Sequence, residues 1–188
     1  MMTQYHNPVL LKEALLGLNI KPEGIYVDVT FGGGGHSRAL LEQLNEQGRL
    51  FAFDQDEDTF ANKIEDSRFK FIAANFGHLS HYLKYHGIPT VDGILADFGV
   101  SSHQFDEASR GFSTRKEGRL DMRMNQNQNL DAEQVLNQYP EEALSGLFFH
   151  YGELRNAKKL ANKIVSFRTE HKLETTADLI RAVQPWVP

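Results

Sequence analysis

Residues 25–36 read Ile-Tyr-Val-Asp-Val-Thr-Phe-Gly-Gly-Gly-Gly-His. An apolar β-type run, Ile25 to Val27, meets a carboxylate at Asp28. Four glycines follow, and an amphipathic helical run begins at His36. Strand, glycine turn and helix in that order form a cradle for a nucleotide-like ligand. Glycine lets the backbone approach a ligand closely and take positive φ without a Cβ clash. A flexible linker would not be bounded by a buried strand on one side and a helix on the other. This stretch commits the chain to an α/β fold.

The rest of the chain repeats the alternation. Pro8–Gly17 predicts a short amphipathic helix, with Asn7 as N-cap and Gly17 as its stop. The first strand is Ile25–Val29, and His36–Gln47 is a crossover helix that Gly48 ends. Arg49–Phe53 is a continuous apolar strand, as in a buried parallel sheet. Glu57–Ile64 and Leu79–His86 read as helices, and Phe69–Ala73 and Gly93–Ala96 as the third and fourth strands. Four β-α alternations predict a doubly wound parallel sheet with ligands at the carboxyl ends of its strands. Those ends carry Asp28, Asp54, Asn75 with Phe76, and Asp97.

After Asp97 the rhythm stops. Phe98–Gln128 is rich in Gly, Ser, Asp, Arg and Gln without a period, as functional long loops are. Helices are then predicted over Ala132–Gln138 with Asp131 as cap, Pro140–Tyr151, Glu153–His171, and from Thr175 or Thr176 to a stop at Pro185. Trp186 is expected to be a core residue. The expected organisation is a cofactor-binding domain over 1–109, a long loop over 110–128 and a helical subdomain over 129–188.

Composition narrows the function. The 188 residues suffice for one domain, or a little more, with a real core. The absence of cysteine excludes disulfides and cysteine metal sites and fits a reducing cytoplasm. The 8 histidines include no H-x-x-x-H pair near an acid, so no metal site is expected. No apolar run approaches a membrane span, and the first residues lack the shape of a signal peptide, so a cytoplasmic protein is expected. A net charge of −5 excludes a simple basic nucleic-acid binder, but the charge is uneven. Residues 110–128 hold five Arg or Lys against two acids, and 153–172 hold six against two. Arg110, Phe112, Arg115, Arg119 and Arg123 combine cations with an aromatic, as RNA surfaces do.

Two ligands compete for the glycine cradle. A dinucleotide fingerprint needs a third glycine where this chain has Ser37 or Arg38, which opposes a nicotinamide-dependent oxidoreductase. What stands instead, Asp28-x-x-x-Gly32-x-Gly34 with Asp54 ending the second strand, resembles the Rossmann-like methyltransferases that bind S-adenosylmethionine. In that resemblance Asp54 accepts hydrogen bonds from the ribose hydroxyls, and Phe76 offers an apolar face to the adenine. Asp97 then stands where the methyl group is transferred. It can accept from the N–H bonds of an exocyclic amine and free its lone pair, take the released proton, or stabilise the sulfonium charge. The sequence leaves these roles open.

Further motifs recur in order: His6 to Glu13, Asp28 to Ser37, Asp54-Gln-Asp56, Asp97-Phe-Gly-Val-Ser-Ser-His-Gln104, Arg110-Gly-Phe-Ser113 and Leu120-Asp-Met-Arg-Met124. Together they resemble the bacterial small-subunit ribosomal RNA cytosine-N4 methyltransferase family. The resemblance implies an S-adenosylmethionine-dependent enzyme acting on a cytidine amine, with Asp97 catalytic. It implies cofactor contacts at Gly34, Gly35, His36, Asp54, Phe76, Asp97 and Gln104. The partner implied is small-subunit ribosomal RNA or the assembled subunit, and a homodimer is compatible with it. The chain departs from the family pattern at Phe98, His103, Asn125 and Leu154. His103 replaces a proline, which predicts a looser turn before Gln104. The resemblance covers only the first part of the family's chains. It ends inside the helical insertion, so the expectation is a shortened chain whose sheet lacks its last strands and shows an apolar edge. Such a chain is expected to bind cofactor weakly and to methylate RNA poorly or not at all. A non-catalytic cofactor- or RNA-binding fragment is the alternative.

Overall fold

A computed structural model describes residues 8–184. The chain divides into two compact units, Met1–Gly99 and Val100–Pro188.

The first unit holds a four-stranded parallel sheet: β1 (Ile25–Asp28), β2 (Arg49–Asp54), β3 (Phe69–Ala73) and β4 (Gly93–Leu95), in the order β3-β2-β1-β4. The order reverses between β1 and β4. In a doubly wound sheet this reversal opens a crevice outside the carboxyl ends of the central strands. Asp28 is level with Ala52 on one side and Leu95 on the other, and Asp54 with Ala73.

Both faces of the sheet are covered, as a parallel sheet requires. The side-chain period of two sends Tyr26 and Leu50 to one face, where they meet Leu40, Leu41 and Leu44, with Leu15 and Leu18 packed against them. Those partners come from α1 (Leu11–Leu18), α2 (Gly35–Leu41) and the turn after it. Val27, Phe51, Phe53 and Ile72 point to the other face with Leu83 of α3 (Leu79–Tyr85). Helices change face because right-handed crossovers run in opposite directions on either side of β1. Ile94 on β4, an outer strand of the described sheet, is 49% exposed.

Several element bounds differ from the expectation. α1 runs through Gly17 and stops at Asn19, which takes the left-handed conformation at φ 46° that asparagine tolerates. α2 ends at Leu41 rather than Gln47. Its continuation tightens into i−3 bonds, and the Asn45 N–H bonds Pro22 O instead. Leu44 still reaches the core. The expected helix over 57–64 is a 3₁₀ stretch, Glu57–Asn62, capped by Asp56. Asn7, His6, Pro185 and Trp186 lie outside the described residues.

The second unit contains α4 (Ser102–Asp106), α5 (Ala132–Gln138), α6 (Glu141–His150), α7 (Ala157–Arg168) and α8 (Thr176–Val183). The break at Gly99–Val100 lies ten residues before the boundary expected at 109, and 100–128 belongs with the helices. Residues 100–128 are not a bare loop. Leu120 has no exposed surface and sits among Leu136, Leu144, Ala161, Ile164 and Leu173. Its N–H bonds Glu174 O, and its carbonyl accepts from Glu133 N–H. Arg119 bridges Thr175 antiparallel. The expected caps are present: Asp131 accepts from Gln134 N–H, and Thr175 with Asp178 closes a capping box on α8. α7 starts four residues later than expected, because Glu153 adopts φ 53° and Leu154 N–H turns back to Phe148 O.

Deleting the Leu120 side chain removes a fully buried group from this core. Leu120→Ala is expected to lower the unfolding free energy of the helical unit by about 2–5 kcal/mol. Amide hydrogen exchange at Leu144 and Ile164 measures it.

Candidate active site

The base of the site is a buried carboxylate. Asp28 ends β1 with 1% of its surface exposed. It accepts from Ser37 Oγ at 2.7 Å, from Thr30 N–H at 3.0 Å and from Thr30 Oγ at 3.4 Å. Burial pushes its carboxyl above the ordinary range, against the pull of these donors. Asp28 therefore lies beneath the glycine turn and does not line a hollow as its position at a strand tip suggests. It ties the end of β1 to the first turn of α2.

The glycine turn is held from three sides. Asp54 Oδ2 accepts from Gly32 N–H at 2.8 Å, Asn62 Nδ2 donates to Gly32 O at 3.0 Å, and Arg38 Nη1 donates to Gly33 O at 3.0 Å. Gly34 has φ 75°, and a Cβ there would lie 2.9 Å from the Phe31 ring. A Cβ on Gly35 would fall 2.4 Å from Pro8 Cγ. These two positions need glycine because protein atoms already fill the space. Gly32, at φ 50°, has no atom nearer than 4.0 Å to where its Cβ would stand. The open side of the turn is at Gly32, next to Asp54.

Asp54 ends β2. Its second oxygen accepts from Asp56 N–H at 2.9 Å, and burial raises its pKa. An ionised carboxylate offers about four acceptor positions, so two backbone bonds leave room for two hydroxyl donors.

His36 is buried in the first turn of α2. Its Nε2 donates to Val9 O at 3.1 Å, and its Nδ1 lies 4.0 Å from Asp97 Oδ2. Asp97 follows β4, and its side chain is 51% exposed. The Asp97 N–H donates to Thr30 Oγ at 2.7 Å, so one threonine joins the tips of β1 and β4. Phe76 opens the 3₁₀ turn after β3 and is 41% exposed. Its ring centroid is 5.6 Å from that of Phe98, which is 71% exposed. β3 and β4 are the outer strands, so segments from opposite sides of the sheet meet at its carboxyl end.

Gly34, Gly35, His36, Asp54, Phe76 and Asp97 thus all fall at one end of the first unit's sheet. Gln104 does not belong to that unit. It is buried in α4, where its Oε1 accepts from Ser101 N–H at 3.0 Å and its own N–H bonds Ser101 Oγ at 3.2 Å. This capping box closes a turn expected to be loose, and it makes Ser101 a cap rather than a free loop hydroxyl. At the first unit's site the sequence reading misses Thr30, Ser37 and the ring of Phe98. The Asp-x-Thr spacing at residues 28–30, an Asx-type turn, points to Thr30. Phe98 is legible as an aromatic beside the strand-end acid. Ser37 has no local signal. Among the described residues, no group of three or more His, Asp or Glu is placed to hold a metal ion, and no helix is long and apolar enough to cross a membrane.

The cations of 110–128 are largely engaged. Arg110 is buried and donates to Arg123 O at 2.9 Å. Arg123 pairs with Asp121 at 2.5 Å and holds its carboxyl below the ordinary range. Arg119 pairs with Asp131 at 2.7 Å and with Glu133 at 3.2 Å. Arg119 and Arg123 are thus tied to carboxylates and Arg110 to main-chain oxygen, while the Arg119 side chain stays 57% exposed.

A profile of the MraW methylase family matches residues 3–188. The ribosomal RNA small subunit methyltransferase H of Christiangramia forsetii is 56% identical over 184 residues, covering 98% of this chain and 61% of that protein. Its namesake from Flavobacterium johnsoniae is 55% identical over 185 residues, with 98% and 61% covered. That of Bacteroides fragilis is 53% identical over 183 residues, with 97% and 60% covered. The chain spans about 60% of the length of the curated relatives it matches.

A carboxyl whose folded pKa is raised favours the folded state at low pH and opposes it once ionised, so its contribution falls as pH rises through that pKa. Asp28→Asn keeps the shape and the Ser37 hydrogen bond but removes the charge. Its unfolding free energy is expected to fall less than the wild type's between pH of about 4 and about 7. Urea unfolding at the two pH values measures the difference.

Proposed function

Since the chain belongs to the MraW methylase family, we propose that it carries the cofactor- and amine-binding part of an S-adenosylmethionine-dependent methyltransferase. The proposed reaction places a methyl group on the N4 amine of a cytidine in small-subunit ribosomal RNA. The substrate is that RNA or the assembled subunit, in the cytoplasm. The observation that carries the reading is the meeting, at one sheet end, of a carboxylate bound to the glycine turn and an exposed carboxylate fixed through its own backbone. These are Asp54 at Gly32 N–H and Asp97 at Thr30 Oγ.

The residues divide the work by position. The glycine turn, open at Gly32, presents bare main chain to the methionine part of the cofactor. Asp54 accepts from the ribose hydroxyls with the acceptor positions its two backbone bonds leave. Phe76 and Phe98 give the adenine two exposed aromatic faces. The chemistry the cofactor supplies is a methyl electrophile on a positively charged sulfur. Asp97 does the rest. Its backbone is pinned by Thr30, while its carboxylate stays half in solvent, where it can accept the N–H bonds of the target amine. An exocyclic amine conjugated to its ring is a poor nucleophile. Acceptors on both N–H bonds, the second being a main-chain carbonyl of Phe98 or Gly99, turn its lone pair out of conjugation. The carboxylate also stands ready for the released proton. His36, anchored on Val9 O, limits how far the Asp97 side chain can swing.

Binding distinguishes this reading from a nicotinamide enzyme. S-adenosylhomocysteine is expected to raise the melting temperature of the purified chain, and NAD is not. Asp54→Ala is expected to weaken S-adenosylhomocysteine at least about tenfold, as two charge-assisted hydrogen bonds are lost. Calorimetric titration measures it. Stabilisation by NAD alone would refute the assignment. At saturating cofactor, Asp97→Asn is expected to lower methyl transfer to small-subunit RNA at least about 100-fold, read as labelled methyl incorporated per minute.

A further inference from the structure

The turn between α6 and α7 carries exposed groups that the chemistry above does not use. α6 ends at His150 and α7 begins at Ala157. Between them the backbone is pinned. Tyr151 N–H bonds Leu147 O at 3.0 Å, Leu154 N–H bonds Phe148 O at 3.1 Å, and Ala157 N–H bonds Leu154 O at 3.1 Å. Glu153 holds φ 53°. On this fixed turn Tyr151 is 85% exposed and Phe149 is 58% exposed. Aromatic side chains bury large areas when they have partners, so two of them left in water on one rigid turn mark a contact surface.

The charge around them is positive. Arg155, Lys158 and Lys159 are all exposed. α7 carries Lys158, Lys159, Lys163 and Arg168 and no acid. Phe149 and Lys158 line the same shallow groove, so aromatic and cation face one space. Two acids of the first turn of α6, Glu141 and Glu142, line the same groove, and Glu141 accepts from Asn162 Nδ2 at 3.1 Å. Glu153 is the one acid within 149–159.

We propose that the α6–α7 turn is a docking surface for single-stranded RNA, with bases stacking on Phe149 and Tyr151 and phosphates meeting Arg155, Lys158 and Lys159. The inference rests on the reading of the chain as an RNA methyltransferase and extends it to a surface of the helical unit. Stacking on an aromatic needs an unstacked base, which single-stranded segments supply and a duplex does not. The basic side chains give an attraction that follows the RNA backbone rather than its sequence, and that salt weakens.

Fluorescence anisotropy with a short labelled single-stranded RNA tests this on the whole chain. The double variant Phe149→Ala with Tyr151→Ala is expected to weaken binding about tenfold or more. The double variant Lys158→Ala with Lys159→Ala is expected to weaken it and to lower the slope of log affinity against log salt by about one to two. The same RNA annealed into a duplex is expected to bind without sensitivity to the aromatic pair. S-adenosylhomocysteine affinity, measured beside it, should be unchanged in both variants, and circular dichroism should show intact helices. Unchanged RNA affinity in both double variants overturns the surface, as does duplex binding that depends equally on the two rings. So does sedimentation showing that the aromatic substitutions dissolve a dimer without affecting RNA. If the wild type binds RNA through these residues but never binds S-adenosylhomocysteine, the methyltransferase reading falls and the surface stands.

Discussion

A carboxyl buried under the glycine turn organises the first unit. Placing Asp28 away from water is costly, and only specific donors offset the cost. The chain provides them from Ser37 on α2 and from Thr30, two residues along. Thr30 then uses the same hydroxyl oxygen to receive the Asp97 N–H. One buried carboxylate and one threonine thereby set the positions of β1, the helix start and the end of β4 relative to one another. An apolar residue at position 28 would remove the desolvation cost, but it would also release the turn. We interpret the buried charge as trading stability for a single geometry at the strand ends.

The carboxylates fall into two groups. In one, the buried Asp28 and the half-buried Asp54 accept from the backbone and are raised in pKa. In the other, carboxylates meet arginine or lysine and are lowered: Asp66 by Arg68 and Asp92 by Lys21 in the first unit, Asp121 by Arg123 and Glu133 by Lys172 with Arg119 in the second. Lowered ones are already satisfied and act as struts. The contrast separates the residues 110–128, where the basic groups hold the helical unit together, from the α6–α7 turn, where aromatic and basic groups stay exposed.

Leu120 shows why an aperiodic segment need not be loose. Nothing in residues 100–128 has a helical or strand period, yet Leu120 is as buried as any residue in the molecule. Its backbone is paired on both sides by Glu174 O and Glu133 N–H. Those partners lie far along the chain, so no local window could reveal them. Gln104 is the opposite case: its partner Ser101 is three residues away, and the Ser-x-x-Gln spacing is a capping box that a local window can show.

What could be read from the amino-acid order alone was what depends on near neighbours. The strands came from apolar runs and the caps Asp131 and Thr175 from polar residues just before helices. The parallel sheet came from strict alternation, and the nucleotide-type cradle from glycines between a strand and a helix. Such features are set by backbone geometry and burial within a few residues, and family likeness added the chemistry. Tertiary structure decided the rest. It ended α2 at Leu41 because Asn45 is drawn to Pro22. It hid Asp28 while leaving Asp97 half exposed, brought Phe76 and Phe98 together from opposite edges of the sheet, and tied Arg119 and Arg123 to Asp131, Glu133 and Asp121. These outcomes depend on which distant groups compete for the same hydrogen bonds and the same space, and the order of residues along a chain does not carry that distance.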